Sequence, residues 1–577
     1  MMTTTTNPQD YAPLAKHLEE RYRALKSLRA PWETLWTEIA RYVMPRRAPG
    51  MNGTILSPGT ENEARLFDTT AIDANMTLAN GQLAWMSPLE SAWFAFAPRQ
   101  KNDDAARLWL SAATEAARDE LAVSNFYTAV HEFYLDRGAF GTACLYVEPG
   151  RRDLLNAQAW PVGSFVVDED ENGVVDTVMR EFELTARQAV QKFGKEALSA
   201  KLQKAAEDPK AVADKFPFLH AIYPREDAER DQAKLDGPNM PIASVYLELD
   251  GCQVCRVSGY EEMPVMVSRY LEWGSGMGSH YGWSPSFSAL PEARQVNFMQ
   301  KMMDALAEKA AFPPVLAPED LEGEIDPNAM GVTYFSRDLA AAGLRPTEWM
   351  TQGRYDIGLQ RIAERQKAIN RAFHVDLFQM FAQIEKQMTA REVSERSQEK
   401  LIQFSPTFSR LTSELFNPLL ERVFGILLRA GRLGTVPESM VVRLSESQGF
   451  VAPPKIQYAS RIALALRSLP SIGYQRTLER VQLVAGVAPQ VLDNLDFDKA
   501  ERATALNDGV PAEFMRAEDE VQKLRQDRAV AAQQAQQQAQ AQQAAQAVGQ
   551  LGKVKADSPV GKMIDANLNG GQPQPTR

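Results

Sequence analysis

The sequence predicts an α+β fold, with long helices flanking a central block of β-hairpins. Three observations carry this. Apolar residues recur at three- and four-residue spacing over long stretches on both sides of the chain centre. Between about 140 and 260 the pattern changes to short β-rich runs that turn at Asn172-Gly173 and Asp250-Gly251. The chain of 577 residues, 44% hydrophobic and 24% charged, has ordinary globular composition and length for several sub-domains.

Residues 11–44 read as one helix or a helix pair. Leu14, Leu18, Tyr22, Leu25 and Leu28 share a face, and Trp32, Trp36, Ile39 and Val43 continue it after Pro31. Pro45-Arg46-Arg47 ends the run, and the Gly/Pro/Asn/Ser-rich residues 48–64 read as a loop. Next, Asp68–Thr70 can cap a helix with Ile72, Met76, Ala79, Leu83 and Met86 on one face. Residues 104–135 continue helical through Leu108, Ala112, Leu121, Phe126 and Val130. Gly138 and Gly141 then lead into the strand-like TACLYVEPG, where Cys144 reads as a small buried hydrophobe.

Two motifs on the hairpins have a chemical and a structural reading. Asp168, Asp170, Asn172 and Gly173 match the first half of a calcium loop, but Met179 stands where a bidentate Glu belongs. An acidic hairpin turn is the better reading. Cys252 and Cys255 form a single CxxC after a turn; structural zinc needs four ligands, and the only other cysteine is Cys144. Gly274, Gly276 and Gly278 lack the Gly-Lys-Ser/Thr of a phosphate loop and read as a flexible loop. No cofactor and no metal is expected.

Ser284-Pro285 is a good N-cap and N1 pair for a helix with Val296, Met299, Met303 and Leu306 on one face, stopped by Pro313-Pro314. Residues 313–350 hold several prolines and short β-like pieces. From Arg354 a helix runs through Leu359, Ile362, Gln366, Ile369 and Phe373. Thr389 and Glu392 have capping-box spacing at the start of a long helix with Phe408, Leu411, Leu415, Leu419, Val423 and Ile426 on one face. Pro406 or Pro418 should kink or divide it, and Gly431 and Gly434 should end it. Asp496 and Asp498 have no His or second Glu motif beside them and read as helix caps. The Ala/Gln tract up to Gln550 favours helix, and the Gly/Pro/Gln end reads as disordered.

The balance of 63 Lys+Arg against 74 Asp+Glu gives a net charge of −11. A protein that grips DNA by its backbone usually carries a basic excess; a conduit through which DNA slides does not need one. The three cysteines suit a reducing compartment. MMTTTTNPQD lacks a signal-peptide pattern, and no uncharged apolar run approaches the ~20 residues of a membrane span. A cytoplasmic origin is expected.

Four ordered blocks resemble the head-to-tail connector (portal) proteins of short-tailed, T7-like bacteriophages: the Trp32–Phe96 block with its Phe-Asp-Thr-Thr element, Tyr281-Gly282-Trp283-Ser284-Pro285, MTAREVSERSQEK from Met388, and Tyr458–Pro511. Trp283 stands where the family commonly has Arg. The resemblance covers roughly residues 30–515. It implies a portal-type protomer with an α/β wing, a helical stem, a small clip and an α-helical crown, assembling into a ring. The implied parts are an N-terminal wing at 1–285, stem helices at 286–312 and 354–372, a clip at 313–350 and a channel loop at 373–388. A long wing/crown helix at 389–454, a crown at 455–528 and a tail at 529–577 complete it. Phe373, Phe378, Phe381, Lys386 and Arg391 are the implied DNA-channel candidates; core packing is the other reading of the phenylalanines.

The implied function is a dodecameric ring at one capsid vertex that nucleates prohead assembly and conducts double-stranded DNA. Its partners would be the terminase large subunit, major capsid and scaffolding proteins, and tail or adaptor proteins. The implied location is the virion, after assembly in the host cytoplasm. Alternatives are a helical virion adaptor or scaffolding protein and, behind it, a DNA-processing or glycan-degrading enzyme. A motor needs a Walker loop, and a hydrolase a placed nucleophile, base or carboxylate pair; none stands out.

Overall fold

The computed structural model describes residues 11–50, 66–99, 103–150, 152–231, 234, 236–272, 280–311, 315–316, 337–343, 347–348, 355–383, 405–443, 449–459, 474, 477–484, 486, 488–507, 516 and 518–551. The chain divides into two compact units, residues 1–469 and 470–577. Open antiparallel sheets among long helices bear out the α+β class.

In the first unit α1 (Ala12–Val43) is one unbroken helix with Pro31 inside it. Its N-terminal half buries Ala15, Leu18, Tyr22 and Leu25 against a five-stranded sheet. That sheet orders β4 (Phe165–Glu169), β5 (Val175–Thr185), β6 (Lys215–Pro224), β7 (Ile242–Glu248) and β8 (Gln253–Tyr260) as neighbours in sequence. Strand alternation assigns the faces. Met179, Ala221 and Val245 lie in register toward α1. The opposite face packs Phe216, Phe218 and Tyr246 under α5 (Ala186–Phe193) and α6 (Ala200–Glu207). Helix α5 opens with a capping box of Thr185 and Gln188.

Both hairpin turns fall where the sequence places them. At the first, Asp170 Oδ1 accepts the Asn172 and Val174 amides at 2.9 and 2.8 Å, and Asp168 pairs with Arg21, so these carboxylates shape a turn. At the second, Cys252 takes φ +45° in the turn while Cys255 packs in the core beneath α5 and α6.

A second core unites the remaining helices with a three-stranded sheet, β3-β2-β9 (Leu155–Trp160, Thr142–Pro149, Val265–Arg269). Helix α2 (Thr70–Met86) departs from its expected single face. Ala71, Ala74, Leu78 and Ala79 are buried and Met76 is exposed, because helices pack on several of its sides. The expected continuous helix 104–135 is two, α3 (Asp104–Val123) and α4 (Phe126–Phe140), broken at Ser124-Asn125. Leu108 is solvent-exposed, and Ala106, Leu110, Ala113 and Ala117 form the buried stripe instead.

The expected 389–454 helix also changes. Residues 384–404, with the Thr389/Glu392 cap, lie outside the described residues. The helix is seen over 405–429 and widens into a π-turn at Thr412–Phe416 immediately before Pro418. Pro418 has no N–H for the Glu414 carbonyl and its ring crowds it, so the wider turn absorbs the conflict. The end is a Schellman motif: Arg432 N–H donates to Leu427 O and Gly431 N–H to Leu428 O, both at 3.0 Å, with Gly431 at φ +69°. Beyond it the chain is not helical but forms a β-hairpin, Val441–Arg443 with Gly449–Val451. The following strand, Lys455–Tyr458, pairs with Phe94–Ala97. It therefore joins the N-terminal block. Strand pairing requires this, since each strand needs a partner for its backbone groups.

The longer described helices of the second unit are Phe497–Asn507 and Glu518–Leu551, preceded by a helical run at 477–484 and a 3-10 turn at Pro489–Asn494. Asp496 accepts the Lys499 amide at 3.1 Å as a cap, and Asp498 pairs with Arg525. The Ala/Gln tract is helical, and its side chains over 525–543 are solvent-exposed.

Candidate functional site

Helices α7 (Pro285–Ala311) and α9 (Tyr355–Ala372) form an antiparallel hairpin. Arg365 pairs with Glu292 near its base, and Gly358 sits against the Met303 sulfur further out. Val296 is fully buried, with Met299 and Met303 half-buried on the same face, as the spacing predicts. Short pieces are described between the helices: Val315–Leu316 pairs with Thr347–Glu348, and a helix covers Arg337–Ala341.

The Tyr281–Pro285 motif anchors this hairpin. The Ser284 and Ser286 hydroxyls donate to the Ala139 and Gly138 carbonyls at 2.8 and 3.0 Å, tying the start of α7 to the end of α4. Gly282 and Gly141 approach so closely that a Cβ on Gly282 would lie 2.4 Å from the Gly141 carbonyl; only glycine fits. Trp283 packs on Phe287 with ring centroids 4.4 Å apart, and Tyr281 meets Trp36 edge-on at 5.1 Å. The Phe-Asp-Thr-Thr element has a matching role. Asp68 accepts the Thr70 amide through one oxygen and the Gln366 amide through the other, at 3.0 and 2.7 Å. It caps α2 and holds α9 at once.

A buried ionic cluster lies beside the anchor. Arg269 donates to Glu414 through its backbone N–H at 2.7 Å and its Nη2 at 2.9 Å, and it also pairs with Glu169 and Glu272. Arg410 bridges Glu272 and Glu414, and His280 Nδ1 lies 3.4 Å from Glu169. Glu414 stands within the π-turn, so the cluster fixes the 405–429 helix to the end of β9. The sequence shows no periodic signal for this cluster, because its members come from four separate segments.

The channel candidates fall differently. Residues expected as a loop from 373 include a helix, α10 (Val375–Gln383). Phe373 is 0% and Phe378 5% exposed, both within the core, and Phe378 packs directly on Gly81 of α2. Gly81 leaves the space the ring fills. Their core-packing alternative is what the protomer shows. The Phe381 side chain, Lys386 and Arg391 lie outside what is described.

The family model for the bacteriophage head-to-tail connecting protein matches residues 15–515. The chain belongs to this family. A portal protein of Salmonella phage epsilon15 is 28% identical over 566 residues, covering 97% of this chain and 99% of the relative. A probable portal protein of Bordetella phage BPP-1 is 31% identical over 530 residues, 90% and 92% of the two chains. The match spans both structural units, so the anchored hairpin and the ionic cluster are parts of a head-to-tail connecting protein.

Proposed function

We propose that the chain is the portal subunit of a phage capsid, forming a closed ring through which double-stranded DNA enters and leaves. The observation that carries this is the stem-like hairpin. Its anchored end is built into the core, while Phe298, Met302, Ile357 and Leu359 are solvent-exposed in the single protomer. Apolar residues exposed together on two packed helices suit lateral contact with further copies. A ring generated by rotation uses such heterologous contacts and closes.

In this reading the ring has twelve copies and nucleates prohead assembly among major capsid and scaffolding proteins. The 313–350 region docks the terminase large subunit, and tail or adaptor proteins follow. The chain itself carries out no bond chemistry; ATP hydrolysis belongs to the terminase. The net charge of −11 agrees with DNA passing through rather than being held. Phe381, Lys386 and Arg391 stay as the channel candidates. Assembly takes place in the host cytoplasm; no described helix is long and apolar enough to cross a membrane.

Negative-stain microscopy and native mass spectrometry of the purified chain test the proposal. The expected result is a closed ring with an axial hole wide enough for duplex DNA. A chain that remains monomeric alone and when co-expressed with its capsid proteins overturns it.

A further inference from the structure

Across the five-stranded sheet, Arg180, His220, Tyr246 and Arg256 stand opposite one another on four successive strands. Their side chains share the face covered by α5, because residues in register point the same way. Lys192, from the last turn of α5, lies 4.5 Å from the Tyr246 ring centroid, and Arg180 lies 4.7 Å from that of Trp160. His220 stacks on Tyr246 with centroids 3.9 Å apart. Arg256 lies 5.6 Å from the Phe193 ring centroid and donates through Nη2 to the Lys192 carbonyl, so three cations line one aromatic cluster.

The carboxylate that offsets their charge is Glu148, and it does so through space rather than by a direct ion pair. Among the described residues, no carboxylate forms an ion pair with Arg180, Lys192 or Arg256. The nearby carboxylate, Glu148, is engaged by the Tyr146 hydroxyl at 2.8 Å. This is unusual in a chain with an acidic excess. In this stacked pair, Arg180 Nε and the indole Nε1 of Trp160, a residue only 2% exposed, have no acceptor among the described residues. Buried donors without acceptors are costly, and clustered cations repel. Burial, together with Arg256 and Arg180, lowers the Lys192 pKa, whereas Glu148 raises it. Burial and the cations Lys192 and Arg180 hold His220 far below its usual value. It is thus neutral, and its Nε2 is 2.9 Å from the Ser244 hydroxyl.

We propose that Arg180, Lys192 and Arg256 form an oxyanion-binding site, taking a phosphate or carboxylate group against Trp160. One oxyanion would supply acceptors for the guanidinium and indole donors and relieve the mutual repulsion of three cations. The group comes either from a free anion or from an acidic side chain of a second copy.

The test is the acylation rate of Lys192 in the full chain, read by mass spectrometry after N-hydroxysuccinimidyl acetate, with exposed Lys204 as internal reference. Inorganic phosphate is compared with sodium chloride at equal ionic strength, in dilute and in concentrated protein. Phosphate is expected to slow Lys192 labelling at least threefold (an expectation of roughly this size for one charge-assisted contact) in the wild type and not in R180Q or R256Q. Protection on concentrating the protein without phosphate, again lost in R180Q and R256Q, assigns the site to an acidic side chain of a second copy. Absence of protection in both arms, or protection that persists in both variants, overturns the site. Two variants on different strands guard against a single folding defect, Lys204 labelling normalises the reagent dose, and an unchanged circular dichroism melt reports that the fold is retained.

Discussion

Asp136 gives the sharpest prediction. It lies in α4, 1% exposed, with Arg47 Nη2 3.3 Å away but neither carboxylate oxygen accepting a hydrogen bond among the described residues. Burial pushes its pKa up from 3.8 to about 6, Arg47 opposes the rise and Glu132 adds to it. Because the folded value exceeds the unfolded one, the native state holds its proton longer. The associated stability is complete below about pH 4 and is lost as pH rises to about 6. A shift of about two pKa units corresponds to about 3 kcal/mol.

Asp136→Asn keeps the shape and removes the titration. The stability of the variant relative to wild type should therefore rise by about 3 kcal/mol between pH 3.5 and pH 6.5. Urea unfolding followed by tryptophan fluorescence measures this, since Trp36, Trp93 and Trp160 are buried in the same unit. A difference that does not change with pH, or that falls as pH rises, refutes the assignment of a raised, desolvated carboxyl.

Arg269→Met should destabilise the first unit by about 3–5 kcal/mol, because it leaves Glu169, Glu272 and Glu414 facing one another without their shared cation; denaturant midpoints within error of wild type would contradict this. Gly282→Ala should cost at least about 2 kcal/mol, since its Cβ meets the Gly141 carbonyl. Gly431→Ala faces open space and should cost only about 1 kcal/mol for its left-handed backbone. Equal thermal shifts for the two would undo the packing argument. Phe298→Asp with Leu359→Asp should leave circular dichroism and melting unchanged while abolishing rings in negative stain; intact rings would remove the stem contact from the assembly.

Local chemistry made much of this protein legible in one dimension. The turns at Asn172-Gly173 and Asp250-Gly251, the stop at Gly431, the Asp496 cap and the start of α7 at Pro285 depend on backbone preferences of a few adjacent residues. The order of four motif blocks was enough to place the chain in its family. What the sequence could not determine depends on partners distant along the chain. The buried side of α2 departs from its apolar spacing at Met76, because a helix packed from several directions has no single stripe. From the sequence Phe373 and Phe378 read equally as lumen or core; in the protomer both are buried, with Gly81 supplying the space for the Phe378 ring. The strand at Lys455 joined the N-terminal block because Phe94–Ala97 offered it hydrogen bonds. Glu414 and Arg269, 145 residues apart, carry no mutual periodic signal, nor do Arg180, Lys192 and Arg256. Periodicity reports which way one element faces; only the packed chain decides what stands opposite, and that sets burial, charge balance and the cost of removing any one group.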